Sequence, residues 1–286
     1  MKGERFLKDE LSDMGGFLNM IEAYEEISAI RMRKVKRSVL SRREFLQGLN
    51  EAFSYIIYSY SVYKKALKKK LQTDILNTNG RNVLILLSSN TGLYGDIILN
   101  VFNLFANDAN RSDSKTDLVI TGRLGKKLYD SSGLKKDFKY FEMSDAASND
   151  EDIKKLLEYI TDYTNVTVYH GVFKSLLAQN PQKTFVTGEV VSIEKSLEGY
   201  DKQFIFEPSV EKVAEYFEKQ ILSLIFEQSL FESSLSKFAS RMVSLDTAAS
   251  NISSRLSTLN FGLKKTKHKK TNESIQENIS GGSLWT

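Results

Sequence analysis

The sequence contains no cysteine and only two prolines among its 286 residues. The absence of cysteine excludes disulfides and thiolate metal sites, and it fits a cytoplasmic protein. The scarcity of proline favours long helices, because proline removes a helical N–H donor and clashes with the preceding turn. The longest apolar runs, such as residues 83–87, are far too short to cross a bilayer. The first residues lack the apolar core of a signal peptide, so we expect none.

An excess of charge of one sign is also absent, since the net charge is only +4, but the basic residues are unevenly placed. The first of three basic clusters contains no acidic residue between Ile27 and Arg43. Such clusters predict an acidic partner, either nucleic acid or an acidic protein surface. They are Arg31, Arg33, Lys34, Lys36, Arg37, Arg42 and Arg43; Lys64, Lys65, Lys68, Lys69 and Lys70; and Lys264, Lys265, Lys267, Lys269 and Lys270.

The strongest pattern that is present is an apolar seam in the C-terminal part of the chain. Its steps alternate between four and three residues, which is the a/d rhythm of a coiled coil. No proline or glycine interrupts the chain from Glu211 to Phe261, which predicts a helix on the order of 75 Å long. The seam is Phe217, Ile221, Leu224, Gln228, Phe231, Leu235, Phe238, Met242, Leu245, Ala249, Ile252, Leu256, Leu259 and Leu263, of which Phe231, Leu235, Phe238, Leu245 and Ile252 are our central core positions.

A second long helix is predicted from Gly16 to Leu71, with an apolar seam of its own. Neither helix is stable alone in water, and the simplest burial places the two seams against each other in an antiparallel pair. The later seam is Leu46, Leu49, Phe53, Ile56, Tyr60, Tyr63 and Leu67, with Phe53, Ile56 and Tyr60 as core positions, and the earlier part offers Phe17, Ile21, Tyr24, Ile27 and Ile30.

Between the two helices the pattern changes to short apolar runs separated by turns. Strands alternating with helices predict a mainly parallel, Rossmann-like α/β domain. The fold class is therefore α/β plus an antiparallel coiled coil of the N- and C-terminal helices, with domains at 1–75, 76–208 and 209–286. Strands are predicted at 83–87, 118–122, 138–141, 166–170, 184–186, 190–193 and 203–206, and helices at 96–105, 126–129 and 152–163.

Residues that could carry chemistry are sparse. The glycine-containing turns at 92–95 and 122–125 lack the spacing of a phosphate-binding loop, so we interpret them as tight turns that require small residues. His170 ends a strand and is predicted to be a packed or rim residue, whereas His268 lies in a lysine run and is predicted to be solvated. We therefore expect no active site, metal site or cofactor site in this chain.

The basic zone from Arg31 to Arg43 leaves three interpretations open. A charge run on a helix is most often a solvated face. Nucleic-acid binding would be favoured by interleaved aromatic residues, and none occurs between Tyr24 and Phe45. The third interpretation is a helix that meets acidic protein surfaces through weak ion pairs, each worth about 0–1 kcal/mol.

Four segments, in order along nearly the whole chain, resemble motifs of the gamma subunit of F-type ATP synthases. Residues 239–251, Ala-Ser-Arg-Met-Val-Ser-Leu-Asp-Thr-Ala-Ala-Ser-Asn, are similar to its Ala-x-Arg-Met-x-Ala-Met…Ala-Thr-x-Asn signature. Residues 27–32, Ile-Ser-Ala-Ile-Arg-Met, are similar to its Ile-Thr-Lys-Ala-Met-x-Met stretch; in a second register, 32–35 would match its Leu-Arg-Arg-Ala. Residues 87–96 resemble its Thr-Ser-Asp-x-Gly-Leu-Cys-Gly-Gly, and 277–282 its Thr-Glu-Ile-Val-Gly-Gly.

The resemblance implies a central rotor shaft that is not itself catalytic. In that family the paired terminal helices lie inside a hexameric ring of alpha/beta-type subunits, which bind Mg-ATP and ADP. The α/β domain lies at the foot, beside epsilon-type and rotor-ring subunits, so the resemblance implies a cytoplasmic protein peripheral to the inner face of the membrane. The ring contacts that it implies are Ile30, Arg31, Met32, Arg33, Lys34, Lys36, Arg37, Arg241 and Met242.

Departures from the family pattern keep two alternatives open. Tyr94 and Asp96 stand where the foot-domain motif has Cys and Gly, and the basic run at 264–270 is unusual for the family. One alternative is therefore a gamma-like shaft in a dedicated ATPase motor, such as gliding machinery, without a proton channel. A more remote alternative is a coiled-coil protein that binds nucleic acid or a scaffold through its basic clusters.

Overall fold

The computed structural model describes residues 3–66, 79–145, 150–187, 207 and 209–282, and for 50–66 and a few positions of the fourth and fifth helices it gives the backbone alone. The predicted strands at 190–193 and 203–206 lie outside the described residues, as do the predicted domain boundaries after residues 75 and 208. The elements are α1 (Glu4–Ala66), β1 (Asn82–Leu87), α2 (Ile97–Arg111), β2 (Thr116–Thr121), α3 (Arg123–Ser131), β3 (Phe138–Phe141), α4 (Asp150–Ile160), β4 (Asn165–Phe173), β5 (Gln179–Phe185) and α5 (Val210–Gly282).

The five strands form one sheet in the order β3-β2-β1-β4-β5. β1 pairs in parallel with both β2 and β4, β2 pairs in parallel with β3, and β5 runs antiparallel to β4. Successive parallel strands are connected by α2, α3 and α4, because parallel strands require a crossover connection. This arrangement of the parallel strands is that of one half of a doubly wound sheet, and it confirms the predicted mainly parallel layer.

The side chains of β1 alternate between two cores, one on each face of the sheet. Val83, Ile85 and Leu87 belong to a core that includes α4, whereas Leu86 belongs to a core that includes α2. Helix α5 enters both cores. Its residues Leu222, Phe226 and Leu230 join the α4 core, Leu235 and Phe238 join the α2 core, and Val35 and Val39 of α1 join the α2 core as well.

The chain divides into two compact units, which we call the terminal unit (Met1–Ala29 with Arg241–Thr286) and the central unit (Ile30–Ser240). In the terminal unit Arg255 of α5 pairs with Glu10 of α1 at 2.7 Å, and Lys267 and Lys270 act electrostatically on Glu4. The helices therefore run antiparallel there, since later residues of α5 meet earlier residues of α1.

In the central unit the same relation holds. Arg31 lies over the ring of Phe238, and Arg42 pairs with Glu227. The predicted antiparallel pairing of the two long helices is thus confirmed within each unit.

The predicted seam of α5 is confirmed, because every one of its positions from Phe217 to Leu263 is buried or half-buried. The side chains of the predicted α1 positions Phe53, Ile56 and Tyr60 lie outside the description, so these stay predictions.

The earlier seam predicted for α1 is wrong at four of its five positions, and only Ile21 is half-buried as predicted. Phe17, Tyr24, Ile27 and Ile30 are each 45–52% exposed. The covered face instead follows a parallel track with the same alternation of four and three: Leu7, Leu11, Met14, Leu18, Ile21, Glu25 and Ser28 in the terminal unit, and Met32, Val35, Val39, Arg42, Leu46 and Leu49 in the central unit. The prediction chose the bulkier apolar row, but a helix that pairs along one side covers only a narrow stripe, and polar Ser28 and Glu25 belong to it.

Several predicted boundaries also change, among them the starts of α1 and β5. Helix α1 begins at Glu4 instead of Gly16, and it includes Gly15 and Gly16, where an added Cβ would meet nothing within 4 Å. Strand β5 begins at Gln179, well before the predicted 184–186. Among the described strands β5 lies at the edge of the sheet, and its polar sequence Gln-Asn-Pro-Gln-Lys-Thr-Phe fits that position, because proline and charge are tolerated at an edge.

Candidate interaction surface

The predicted contact zone on α1 lies mostly on the surface of the central unit. Ile30, Arg31, Arg33, Lys34, Lys36 and Arg37 are exposed, and Met32 is half-buried against the α2 core. Two of the cations lie over aromatic rings of the chain itself, Arg31 at 5.9 Å from the Phe238 centroid and Lys36 at 5.8 Å from the Phe173 centroid. Arg33, Lys34 and Arg37 make no ion pair within the part of the chain that the structure describes. These three cations therefore face outward with their charge uncompensated.

The basic residues one to two turns further along α1 have an internal role. Arg42 Nη1 lies 2.6 Å from Glu227 Oε2, and its guanidinium lies 4.3 Å from the Phe231 centroid. Arg43 Nε lies 2.6 Å from Glu232 Oε1. The sequence shows one basic zone, but the structure divides it into an outward part and a part that holds α1 to α5.

Arg241 and Met242 lie in the terminal unit and are largely covered. Arg241 is 9% exposed, and Met242 is half-buried. Nothing in the fold tests their predicted contact with a ring, so that role stays a prediction for both residues.

An exposed apolar row on α1 is the feature that the sequence prediction misassigned. Phe17, Met20, Tyr24 and Ile27 follow one another at steps of three and four residues, so they share one helix face. Each is 45–50% exposed. A row of large exposed apolar side chains marks a surface for contact with another protein. A second row of residues on α1, from Leu7 to Ile21, has the same heptad spacing. If that row is taken as the covered face of the helix, the row from Phe17 to Ile27 is left exposed.

The basic run on α5 is a surface feature. Lys264, Lys265, Lys267, Lys269 and Lys270 are all exposed, and the ion pair of Lys269 with Glu273, at 3.6 Å, is exposed on both sides. His268 is exposed, as predicted. The pKa of Glu4 is lowered first by its hydrogen bond with Lys8, with smaller contributions from Lys270 and Lys267. The run therefore presents positive charge to solvent.

The turn after β1 is held by one carboxylate. Asp145 Oδ1 accepts a hydrogen bond from the backbone N of Asn90 at 2.7 Å, and Oδ2 accepts hydrogen bonds from Thr91 Oγ1 at 2.8 Å and Tyr94 OH at 3.1 Å. Burial acts to raise the pKa of Asp145, but the charge of Lys237 and these hydrogen bonds outweigh it and hold the pKa below its usual value. Asp145 is thus an ionised anchor for the turn.

Helix α5 closes on the same place with three polar side chains. Lys237 Nζ donates to Ser88 O at 3.0 Å, Ser240 Oγ donates to Tyr94 O at 2.7 Å, and Ser234 Oγ donates to Asp145 O at 3.0 Å. The carboxyl ends of parallel strands are where open α/β sheets bind ligands. Here α5 lies at the carboxyl ends of the strands, which suits a domain that holds a helix in place. No sequence pattern indicates this network, because its members are far apart along the chain.

Both glycine-containing turns are tight, as predicted. Gly95 and Gly122 have positive φ values of 53° and 80°, and Leu93 joins them at 67°. A Cβ on Gly122 would lie 2.7 Å from the backbone N of Ser89. The close approach of two strand ends explains the requirement for glycine there.

His170 is packed, as one of its two predicted alternatives stated, and it is 2% exposed. Its Nε2 lies 2.8 Å from Thr184 Oγ1, and its Nδ1 lies 3.2 Å from Gly171 O. Burial lowers the pKa of His170 to about 4, so the ring is neutral at pH 7. Among the described residues there is no cluster of His, Cys, Asp and Glu that could hold a metal ion, and no helix long and apolar enough to span a membrane.

Comparison with known proteins places these features in a family. A family model described as ATP synthase matches residues 5–283. The ATP synthase gamma chain of Ruthia magnifica subsp. Calyptogena magnifica is 20% identical, with 99% of each chain covered, and that of Geotalea uraniireducens (strain Rf4) is 22% identical, with 98% of each covered.

Solved structures share the fold. The central stalk/c-ring structure of Tetrahymena thermophila mitochondrial ATP synthase contains a chain with a TM-score of 0.57 and 18% identity, covering 80% of this chain and 99% of that one. A chain in the Euglena gracilis mitochondrial OSCP/F1/c-ring structure gives a TM-score of 0.52 and 12% identity, covering 88% and 94%. Because the family match extends through nearly the whole sequence, this chain belongs to the ATP synthase gamma-chain family.

Proposed function

We propose that this chain is the central rotor subunit of an F-type rotary ATPase, which couples ATP hydrolysis or synthesis in a catalytic ring to rotation of the paired helices. The proposal rests mainly on the match to the gamma-chain family, which extends over nearly the whole sequence. The antiparallel pairing of the two long helices agrees with it. The nucleotides are bound by the partner subunits, and this chain supplies no group to the chemistry.

The terminal unit has the asymmetry that such a shaft requires. Its α1 presents the apolar row of Phe17, Met20, Tyr24 and Ile27, whereas α5 from Ser250 to Thr258 exposes serine, asparagine, arginine and threonine. A ring around this pair meets a different chemistry on each side. Differential contact of that kind biases otherwise identical subunits toward different conformations, which is what converts rotation into sequential changes of nucleotide affinity.

The outward cations of the central unit suit an acidic ring surface. Arg33, Lys34 and Arg37 are exposed and uncompensated within the described chain, and exposed ion pairs are individually weak, at about 0–1 kcal/mol each. Weak contacts guide a turning surface without holding it in one position. The ring of alpha/beta-type subunits is therefore the partner that we assign to this zone.

The contacts between α5 and the sheet of the central unit suit a domain that holds the foot of the shaft. Lys237, Ser240 and Ser234 of α5 hydrogen-bond to the loops that follow β1 and β3. Each net hydrogen bond contributes about 1 kcal/mol. These contacts, together with two cores that share α5, resist rotation of the helix against the sheet. We assign epsilon-type and rotor-ring subunits to this domain, and a position peripheral to the inner, cytoplasmic face of the membrane.

The experiment is purification of the tagged full-length chain from its native cell, with mass spectrometry of the proteins that accompany it. Nucleotide-binding ring subunits together with proton-channel subunits are the expected result for an ATP synthase. Ring subunits without a channel would show a dedicated ATPase motor with another load. Recovery without any ring subunit would overturn the rotor assignment.

A variant sharpens the same experiment. Replacement of Arg33, Lys34 and Arg37 by glutamine is expected to weaken recovery of the ring at low salt, and the difference from the wild type is expected to shrink as salt is raised, because salt screens the charge that the variant removes. Arg42→Gln is the control, since Arg42 is not among the expected ring contacts and already pairs with Glu227. Equal loss in the control would assign the effect to the helix and not to the outward charge.

A further inference from the structure

A cleft beside the sheet contains buried acceptors that the rotor function does not use. It lies between the β4–β5 edge and α5, with Arg43 of α1 at its side, and it has a volume of about 270 Å³. We call it the Glu232 cleft. Its lining is Arg43, His170, Val172, Gln182, Thr184, Ile225, Gln228, Ser229 and Glu232, all in the central unit.

Glu232 is 95% buried, since only 5% of its surface is exposed. Its Oε1 accepts hydrogen bonds from Arg43 Nε at 2.6 Å and from Gln228 Nε2 at 2.9 Å. Its Oε2 is buried and has no hydrogen-bond partner among the described residues, and the same holds for Gln228 Oε1. Buried acceptors of this kind are rare in folded proteins, because leaving them unpaired forfeits their hydration without replacement.

The other buried polar groups of the cleft are already hydrogen-bonded. His170 uses both ring nitrogens, with Thr184 and Gly171, and it is neutral at pH 7. Ser229 Oγ donates to Ile225 O at 2.9 Å. Among the buried groups of the lining, the unmet demand is therefore for donors, and one of the two open acceptors is a carboxylate oxygen.

The chemistry of the lining selects the ligand. A carboxylate oxygen that has no partner repels an anion and attracts a cation with N–H donors. Val172 and Ile225 add apolar surface beside it, which suits a short alkyl chain. We propose that the Glu232 cleft binds a primary alkylammonium group, whose N–H donors reach Glu232 Oε2 and Gln228 Oε1 and whose alkyl stem lies along the apolar lining.

Two sources supply this chemistry, a lysine side chain of a partner protein and a free alkylamine. The shared group is tested first, with n-butylammonium chloride titrated into the ¹⁵N-labelled full chain and the signals of Gln228 and His170 followed by NMR. Saturable shifts are expected. Tetramethylammonium has the charge without donors, and potassium chloride has the charge without an alkyl stem, so neither is expected to produce them.

Three variants separate this site from general electrostatics. Glu232→Gln keeps the shape and removes the charge, and it is expected to weaken binding about tenfold or more. Arg43→Gln frees the carboxylate from its guanidinium and is expected to strengthen binding. Glu227→Gln is the matched control, because Glu227 pairs with Arg42 one turn earlier, outside the cleft lining, and it is expected to leave binding unchanged.

The source is distinguished with Nα-acetyl-lysine methylamide and spermidine. Tighter binding of the blocked lysine identifies a protein lysine, whereas tighter binding of spermidine identifies a free polyamine. An equal response to tetramethylammonium or potassium, or unchanged binding in a folded Glu232→Gln protein, would overturn the proposal and leave solvent as the occupant. Circular dichroism of each variant establishes that it is folded, and the opposite sign expected for Arg43→Gln provides a second test.

Discussion

Helix α5 lies in two different environments along its length. Over residues 221–240 of the central unit every side chain is buried or half-buried, including serines, Glu232 and Lys237, and Arg241 of the terminal unit is buried as well. From Leu245 onward in the terminal unit only the heptad stripe is covered, and the other faces are exposed. The same apolar seam runs through both stretches. The seam therefore indicates that the helix pairs, and the residues on its other faces indicate what else packs against it.

Serine is the residue type that marks the first stretch. Ser233, Ser234, Ser236 and Ser240 are all at most 7% exposed. A small side chain allows the sheet and its loops to approach the helix backbone closely, and the hydroxyls of Ser234 and Ser240 donate hydrogen bonds to loop carbonyls. In the second stretch Ser250, Ser253, Ser254 and Ser257 are exposed. The same residue type thus has opposite meanings, which composition alone does not reveal.

The largest expected effect comes from deleting one leucine of the seam in each stretch. Leu235 is 1% exposed and belongs to the α2 core, whereas Leu256 is half-buried. Leu235→Ala is expected to lower the free energy of unfolding by about 3–5 kcal/mol, because the surrounding core cannot collapse onto the cavity. Leu256→Ala is expected to cost about half of that or less. Urea unfolding measures both, and equal losses would contradict the difference between the stretches.

The next effect is the pH dependence set by His170, which lies beneath the first stretch. Burial lowers its pKa from 6.5 to about 4, so the native state stays neutral while the unfolded chain takes up a proton. Stability is therefore full above pH 6.5, falls between 6.5 and 4 by up to about 3 kcal/mol, and levels off below that.

The test for this pH dependence is urea unfolding across the range for His170→Gln, which is expected to lose this component. His268→Gln, on the exposed second stretch, is expected to keep the wild-type profile. An unchanged profile in the first variant would contradict the role of His170.

Two glycines give effects of opposite sign. A Cβ on Gly171 would lie 2.5 Å from Ser236 Oγ and 3.0 Å from Ile97 Cγ1, so Gly171→Ala is expected to cost about 1–3 kcal/mol through overpacking. Gly262 of the second stretch has nothing within 4 Å, so Gly262→Ala is expected to stabilise the helix by up to about 1 kcal/mol. Thermal unfolding measures both changes. A loss at Gly262 as large as that at Gly171 would show that the second stretch is packed on a further face.

The smallest effect concerns the ion pair between Arg255 and Glu10. Arg255 is 49% exposed at its side chain, so Arg255→Gln is expected to cost only about 0–1 kcal/mol, and less as salt is added. Unfolding at low and high ionic strength measures this. A larger loss that does not depend on salt would place the pair in a more enclosed setting than its exposure indicates.

The parts of the fold that follow from local pattern could be predicted from the sequence. The α5 seam, the strands β1, β2 and β4, and the tight turns at Gly95 and Gly122 all agree with the structure. The α1 seam could not be chosen correctly, because two heptad tracks fit one helix and only the partner decides which is covered. Only the end of strand β5 could be predicted, because its first part is polar and its pairing beside β4 is a property of the whole sheet.

The surface residues show the same limit. The basic zone was evident, but the division between outward Arg33 and inward Arg43 depends on acidic residues of α5 nearly two hundred positions away. The contacts of Lys237 and Asp145 with the turn after β1 could not be predicted from the sequence, since neither residue lies in a motif. Sequence periodicity relates residues that are a few positions apart, so it does not reveal contacts between residues that are so far apart along the chain.

The exposure of α5 beyond Thr266 has a consequence for how its backbone exchanges hydrogen with water. All described side chains from Lys267 to Ser280 are exposed, so no burial holds that part of the helix closed. Its amides can exchange by fraying from the end, which costs little free energy, whereas amides between Ile221 and Arg241 exchange only when the surrounding cores open. The two stretches of one continuous helix should therefore differ in deuterium uptake by orders of magnitude in time.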